Sequence, residues 1–196
     1  MTWYEEEVKN LKKKISEYTE VPETIFYGSS SIRLWESIYT DFKDYKPANL
    51  GFGGSTLAAC VWFFDTLVVP LKPKRIIFYA GDNDLGDGRN PEEVVLFFRE
   101  LMAIMKDRLG DIPFAFISIK PSLQRWNIHD KIDRTNQLIE AEMANHPTMA
   151  YIDIYSHMLD VVGYPDKELY QADGLHLSAH GYAIWKEVIL KYLQSL

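Results

Sequence analysis

The sequence predicts an α/β fold in which a parallel sheet of five short strands is covered by helices on both faces. Three observations predict it. Short β-rich runs alternate with helical runs along the chain, and alternation of this kind implies parallel pairing through helical crossovers. The length of 196 residues, with 47% hydrophobic and 25% charged, suits one domain with a single large core. No internal repeat and no Gly-, Ser- or Pro-rich linker divides the chain, so residues 1–196 read as one domain with a helix over about 1–20 packed on it.

Each element has its own signal. Tyr4, Val8, Leu11, Ile15 and Tyr18 recur at the helical period, with acidic residues first and basic residues later, as a helix dipole prefers. Thr24–Tyr27 reads as a strand, and Ile32, Trp35, Ile38, Tyr39 and Phe42 as one helix face. Ala48–Phe52 is a second strand, followed by an apolar helix from Thr56. Arg75–Ala80 is a third. Asn90, Pro91 and Glu93 spell a capping box with proline at the first helical position, and Gly110 ends that helix. Pro113–Ile119 is a strand, Ile128 to about Asn145 a helix, and Met149–Ile154 the last strand. Ser178 caps a final helix carrying Tyr182, Trp185 and Ile189. The stretch Tyr155–Leu177 lacks periodicity, and loops that long are usually functional.

Composition narrows the partners. A balance of 21 basic to 28 acidic residues, a net −7, is a poor footprint for general nucleic-acid binding. The single cysteine, Cys60, makes no internal disulfide and implies no oxidising compartment. No secretory signal is visible at the start, and Leu57–Leu71 is too short and interrupted for a membrane span. A cytoplasmic location is the expectation. The aromatic faces around Trp62 and Trp185 are either core or a homo-oligomer interface.

Ligands of such sheets bind outside the carboxyl ends of the strands. The residues following each strand are therefore informative. They are Gly28-Ser29-Ser30-Ser31, Gly51-Phe52-Gly53-Gly54-Ser55, Gly81-Asp82-Asn83-Asp84, and Lys120-Pro121-Ser122 with Arg125-Trp126. Asp173-Gly174-Leu175-His176 follows the long loop. A nucleophile, a small-residue turn, an amide and an acid–imidazole pair thus fall on one rim. One of the three serines, otherwise mere helix caps, is activated only if a base stands beside it. His176 is the candidate, with Asp173 to orient it. Gly53-Gly54 is either a tight turn or an unobstructed backbone N–H for an oxyanion. Asn83 is either a turn residue or a side-chain donor to the same oxyanion. Trp126 and Arg125 either line a substrate pocket or cover the sheet edge. The Asp82–Glu93 spacing fails as a calcium loop because Gly86 and Asp87 stand where a ligand and a glycine are needed. His176 and His180, with Asp173, could form a zinc cluster, but Ser178 as cap leaves His176 outside the helix that holds His180, so their four-residue spacing is not a helical one.

In order and spacing these blocks resemble the SGNH hydrolases, the GDSL lipase/acylhydrolase family. Phe26-Tyr27-Gly28-Ser29-Ser30-Ser31-Ile32 resembles its first block, with Ser29 in place of the usual aspartate. Asn49-Leu50-Gly51-Phe52-Gly53-Gly54, Gly81-Asp82-Asn83-Asp84 and Asp173-Gly174-Leu175-His176 resemble the others. With Ile32-Arg33-Leu34-Trp35, the branch similar to platelet-activating-factor acetylhydrolase subunits fits best. The resemblance implies a flavodoxin-like three-layer α/β/α sandwich with strand order 2-1-3-4-5. It implies Ser30 as nucleophile with His176 and Asp173, and an oxyanion hole of Ser30, Gly54 and Asn83. Ser29, Trp126 and Arg125 become candidate pocket residues. The implied activity is cleavage of short acyl esters of a lipid, sugar or other small alcohol, without metal or other cofactor. An acyltransferase or a catalytically silent binding module would use the same site. Two further expectations follow. So short a chain leaves an open site without a separate lid, and Asp82, Asp84 and Asp87 should disfavour anionic substrates.

Overall fold

The computed structural model describes residues 1–196. Its five strands are β1 (Thr24–Gly28), β2 (Pro47–Gly51), β3 (Arg75–Tyr79), β4 (Phe114–Ile117) and β5 (Met149–Ile152). All pair in parallel, in the order β2-β1-β3-β4-β5. Eight helices connect or flank them: α1 (Glu5–Ser16), α2 (Ser30–Arg33), α3 (Ile38–Asp41), α4 (Leu57–Leu67), α5 (Asp82–Gly86), α6 (Pro91–Leu109), α7 (His129–Met143) and α8 (Ala179–Gln194).

Successive strand side chains point to opposite faces, so both faces must be covered, and every residue of β1 is buried. One face carries Ile25, Tyr27, Ile76, Phe78, Phe114 and Phe116, packed under α1, α4, α6 and α7. The other carries Phe26, Ile77, Tyr79, Ala115 and Ile117, packed under α2, α3 and α8. This is the three-layer α/β/α arrangement, with the strand order that the sequence implied. Trp185 is wholly buried in the second layer, whereas Trp62 is 68% exposed.

Caps form where the sequence places them. Asn90 and Glu93 exchange both bonds of a capping box, Thr56 accepts from the Ala59 N–H, and Ser178 accepts from the Gly181 N–H. The expected single helix across Ile32–Phe42 is instead two short turns, α2 and α3. Asp41 Oδ2 accepts from the Ser37 hydroxyl and the Trp35 indole N–H at 2.5 and 2.9 Å. Both bonds tie side chains together across the break and take up none of the backbone ladder's own donors. Bonds from the Trp35 N–H to Ile32 O and from the Ile38 N–H to Trp35 O preserve a three-residue spacing. All three apolar residues, and Phe42, still reach the core.

Residues 155–177 carry no helix or strand of normal length. Two 3₁₀ turns, Ser156–Met158 and Lys167–Leu169, order them with two antiparallel bridges, Leu159 to Pro165 and Tyr170 to Leu177. No helix is long and apolar enough to cross a membrane.

Register sets up the functional rim. Gly28, Gly51 and Tyr79 are direct partners at the carboxyl ends of β1, β2 and β3. The three following loops therefore leave the sheet side by side. Gly28 adopts φ +136°, and a Cβ there would stand 1.8 Å from the Tyr79 carbonyl oxygen. Only glycine fits this close approach.

Candidate active site

The β1–α2 turn carries the three serines. Ser29 is the extended N-cap and Ser30 the first residue of α2, so the Ser30 N–H has no partner within that helix. Ser30 is half-buried. Ser29 and Ser31 are buried, with hydroxyls that find no hydrogen-bond partner.

The long loop returns Asp173 and His176 to Ser30, across 146 positions of sequence. His176 Nε2 lies 3.2 Å from Ser30 Oγ, and His176 Nδ1 lies 2.6 Å from Asp173 Oδ2. Gly174, at φ +65°, makes the turn between acid and imidazole. Asp173 Oδ1 accepts the backbone N–H groups of Leu175 and His176 at 2.9 and 3.0 Å. Partial burial opposes the Asp173 charge, but these two N–H groups and the His176 ring outweigh it and hold the carboxyl at about 2. The loop is anchored to the segment after β4 by the Gln124 N–H donating to Gly174 O. Side-chain exposures of 28% for His176 and 47% for Asp173 leave the pair facing solvent. Cavities of about 580 Å³ beside α6 and about 540 Å³ beside α8 do not include Ser30 or His176.

Two further candidate donors follow the neighbouring strands β2 and β3. Gly54 sits at φ +65° after β2, and its N–H bonds to nothing else in the protein. Asn83, in α5, donates from Nδ2 to Ser55 O at 3.0 Å and accepts at Oδ1 from Arg125 Nη2 at 3.0 Å. One Nδ2 hydrogen can satisfy Ser55, which leaves the second for another acceptor.

The acidic cluster differs from the sequence expectation. Asp82 is buried with Lys120 Nζ and Arg125 Nη1, each 3.2 Å from its Oδ2. Burial opposes its charge, but the two cations hold it below the ordinary carboxylate range. Asp84 is buried against Arg89 Nη1 at 2.8 Å and the Leu57 N–H at 2.7 Å. Burial nevertheless lifts its carboxyl to about 6. Only Asp87 remains exposed. The two buried carboxylates are thus matched by three cations, so the loop presents no concentrated negative field.

Of the other candidate pocket residues, Arg125 spans Asp82 and Asn83 as described. Trp126 is half-buried, stacked on His129 at 4.3 Å and edge-on to Tyr164 at 4.9 Å. Cys60 is wholly buried in α4, and burial pushes its thiol far up, which suits a small core residue. Sequence reasoning passed over Lys120, 1% exposed at its side chain. Its signal was a lysine closing an apolar strand, on the same rim as Asp82. It also passed over Tyr4 and Glu7, whose polar atoms reach the Gly53–Gly54 loop.

A serine hydroxyl, an imidazole and a carboxylate thus stand in one hydrogen-bonded line on the carboxyl rim of an α/β/α sheet. The family model of the GDSL-like lipase/acylhydrolase family matches residues 25–184. The chain belongs to that family and is an ester hydrolase. It is 25% identical over 173 residues to platelet-activating factor acetylhydrolase IB subunit alpha1 of Pongo abelii, covering 83% of this chain and 71% of that one. A GDSL-like lipase from Bacteroides thetaiotaomicron superposes with a TM-score of 0.79 at 21% identity, covering 96% and 98% of the two chains. A lipase/acylhydrolase from Enterococcus faecalis superposes at 0.70 and 21% identity, covering 88% and 96%.

Proposed function

We propose that this enzyme hydrolyses short-chain carboxylic esters, acetyl esters foremost, through an acyl-enzyme formed on Ser30. The observation that carries the proposal is the continuous line Ser30 Oγ, His176 Nε2, His176 Nδ1, Asp173 Oδ2 at 3.2 and 2.6 Å. Ser30 Oγ attacks the ester carbonyl carbon while His176 Nε2 takes the hydroxyl proton. Asp173 stabilises the imidazolium and keeps the ring in the tautomer that leaves Nε2 free to accept. The carbonyl oxygen becomes an oxyanion held by the N–H groups of Ser30 and Gly54 and by Asn83 Nδ2. The tetrahedral adduct collapses, the carbon–oxygen bond to the alcohol breaks, and the alkoxide leaves with the proton from His176. A water then attacks the acyl-enzyme by the same route, and Ser30 regains its proton as the acid departs.

The short-acyl preference is supported by the solvent-facing position of His176 and Asp173. The acetylhydrolase relative points the same way. Ser30→Ala should abolish turnover of p-nitrophenyl acetate with a native far-UV spectrum, and p-nitrophenyl esters of rising chain length should fall off in kcat/KM. Turnover retained in Ser30→Ala would refute the mechanism. A preference for long acyl chains would refute the substrate class.

A further inference from the structure

The loop that offers the Gly54 N–H is built on glycine. Its peptide lies between two consecutive glycines, which have the widest backbone freedom. Gly54 is exposed, and a Cβ placed on it would meet nothing within 4 Å, so no neighbouring side chain constrains its backbone from that side. The peptides on either side, however, are both gripped by the N-terminal segment. The Gly53 N–H donates to Glu7 Oε2, and the Tyr4 hydroxyl donates to Gly54 O at 3.0 Å.

Both grips are anchored. The Tyr4 ring is buried, edge-on to Phe52 at 5.4 Å and to Phe63 at 6.3 Å. Glu7 pairs with Arg33 Nε at 3.8 Å, and Arg33 is the last residue of the helix that begins with Ser30. Gly53 leaves the room for this pair, since a Cβ there would stand 2.9 Å from Glu7 Oε1 and 3.2 Å from Arg33 Nε. A helix serving only the core would bury its apolar face and need no polar atoms on this loop. Here two polar side chains fix the planes before and after one donor peptide. The clamp also lies outside residues 25–184, the span of the family match.

We propose that Tyr4 and Glu7 are positioning residues of the reaction. They hold the Gly53–Gly54 peptide so that the Gly54 N–H points at the oxyanion. The inference rests on the Ser30 mechanism above. The Tyr4 hydroxyl and the Glu7 carboxylate act through the loop and touch no substrate.

The test is the kinetics of Tyr4→Phe, Glu7→Ala and Glu7→Gln with p-nitrophenyl acetate, beside Ser30→Ala. Tyr4→Phe keeps the buried ring, so it removes the hydrogen bond and little else. Tyr4→Phe and Glu7→Ala should each lower kcat by about 10-fold to 100-fold, the penalty of a misaimed donor, with KM within about twofold. Glu7→Gln, which keeps a carbonyl acceptor, should recover part of the loss. A boronic acid that forms a tetrahedral adduct on Ser30 should lose affinity in step with kcat/KM. Unchanged kcat in Tyr4→Phe and Glu7→Ala, or a change confined to KM, would overturn the clamp while leaving the Ser30 mechanism intact, provided Ser30→Ala is inactive. Turnover retained in Ser30→Ala would overturn the mechanism and the clamp together.

Discussion

Replacing Asp173 by asparagine tests the proton path without altering its shape. Asp173 Oδ1 accepts two backbone N–H groups at 2.9 and 3.0 Å, and Oδ2 accepts from His176 Nδ1 at 2.6 Å. An asparagine must keep its carbonyl oxygen on the two backbone donors, because its NH₂ cannot accept them. The NH₂ then faces His176 Nδ1 and forces that nitrogen to be the acceptor. The ring proton moves to Nε2, the atom that lies 3.2 Å from Ser30 Oγ. Nε2 can then no longer take the serine proton. The same wrong tautomer in serine-protease triads costs about 10⁴ in kcat, or about 5.5 kcal/mol at 1.36 kcal/mol per decade. The expected result for Asp173→Asn is a loss of about four decades in turnover of p-nitrophenyl acetate, at an unchanged melting temperature. Turnover within tenfold of the parent would refute the reasoning. A parallel collapse of stability would show that the backbone contacts, rather than the tautomer, dominate.

The remaining predictions concern the amide donor and the core. Asn83→Ala should lower kcat by roughly 10²- to 10³-fold. Arg125→Met should lower it less, and the double variant should be no worse than Asn83→Ala alone, because Arg125 bonds Asn83 Oδ1. Additive losses with a raised KM would instead make Arg125 a substrate contact. Trp185→Ala removes a wholly buried ring that packs 4.8 Å from Tyr79 and 6.1 Å from Trp35. It should cost about 3–5 kcal/mol, roughly 6–20 °C in Tm for a chain this long. Calorimetry showing a shift under about 3 °C would contradict that estimate.

Four of the five strands were legible because they are buried on both faces, which leaves continuous apolar runs such as Ile76–Tyr79 between polar turns; β5, at the sheet edge, is half-buried. Helix starts at Asn90, Thr56 and Ser178 were legible because caps are local chemistry. Ser30, Asn83, Asp173 and His176 could be placed on one rim from their positions after successive strands. What stayed hidden depends on contacts between distant segments. The break between α2 and α3 is spanned by three-residue backbone bonds, Trp35 N–H to Ile32 O and Ile38 N–H to Trp35 O, so the apolar spacing across it still reads as a helix face. The acidic cluster looked like a repulsive surface because its neutralising partners Lys120 and Arg125 arrive from the loop after β4, some 40 positions later. Tyr4 belongs to a helix period and Glu7 to an acidic first turn, and nothing in either announces that their polar ends grip a glycine loop 46 to 50 positions away.

The two layers that cover the sheet carry different residues of the proposed mechanism. Ser30 begins α2 and His176 precedes α8, and both helices pack on the Phe26–Ile77–Ile117 face. Gly54 precedes α4 and Asn83 belongs to α5, with α4 and Leu85 of α5 packed on the Tyr27–Phe78–Phe116 face. In the proposed mechanism, proton handling and the Ser30 N–H are thus mounted on one slab of the sandwich and the other two oxyanion donors on the other, with the strand ends as the seam between them. A small sliding of either slab would change the distance between nucleophile and oxyanion donors without disturbing the contacts inside that slab. Drift in the two cores would then affect catalysis by different routes: repacking around Trp185 would detune proton transfer, and repacking around Phe64 would detune the oxyanion cradle.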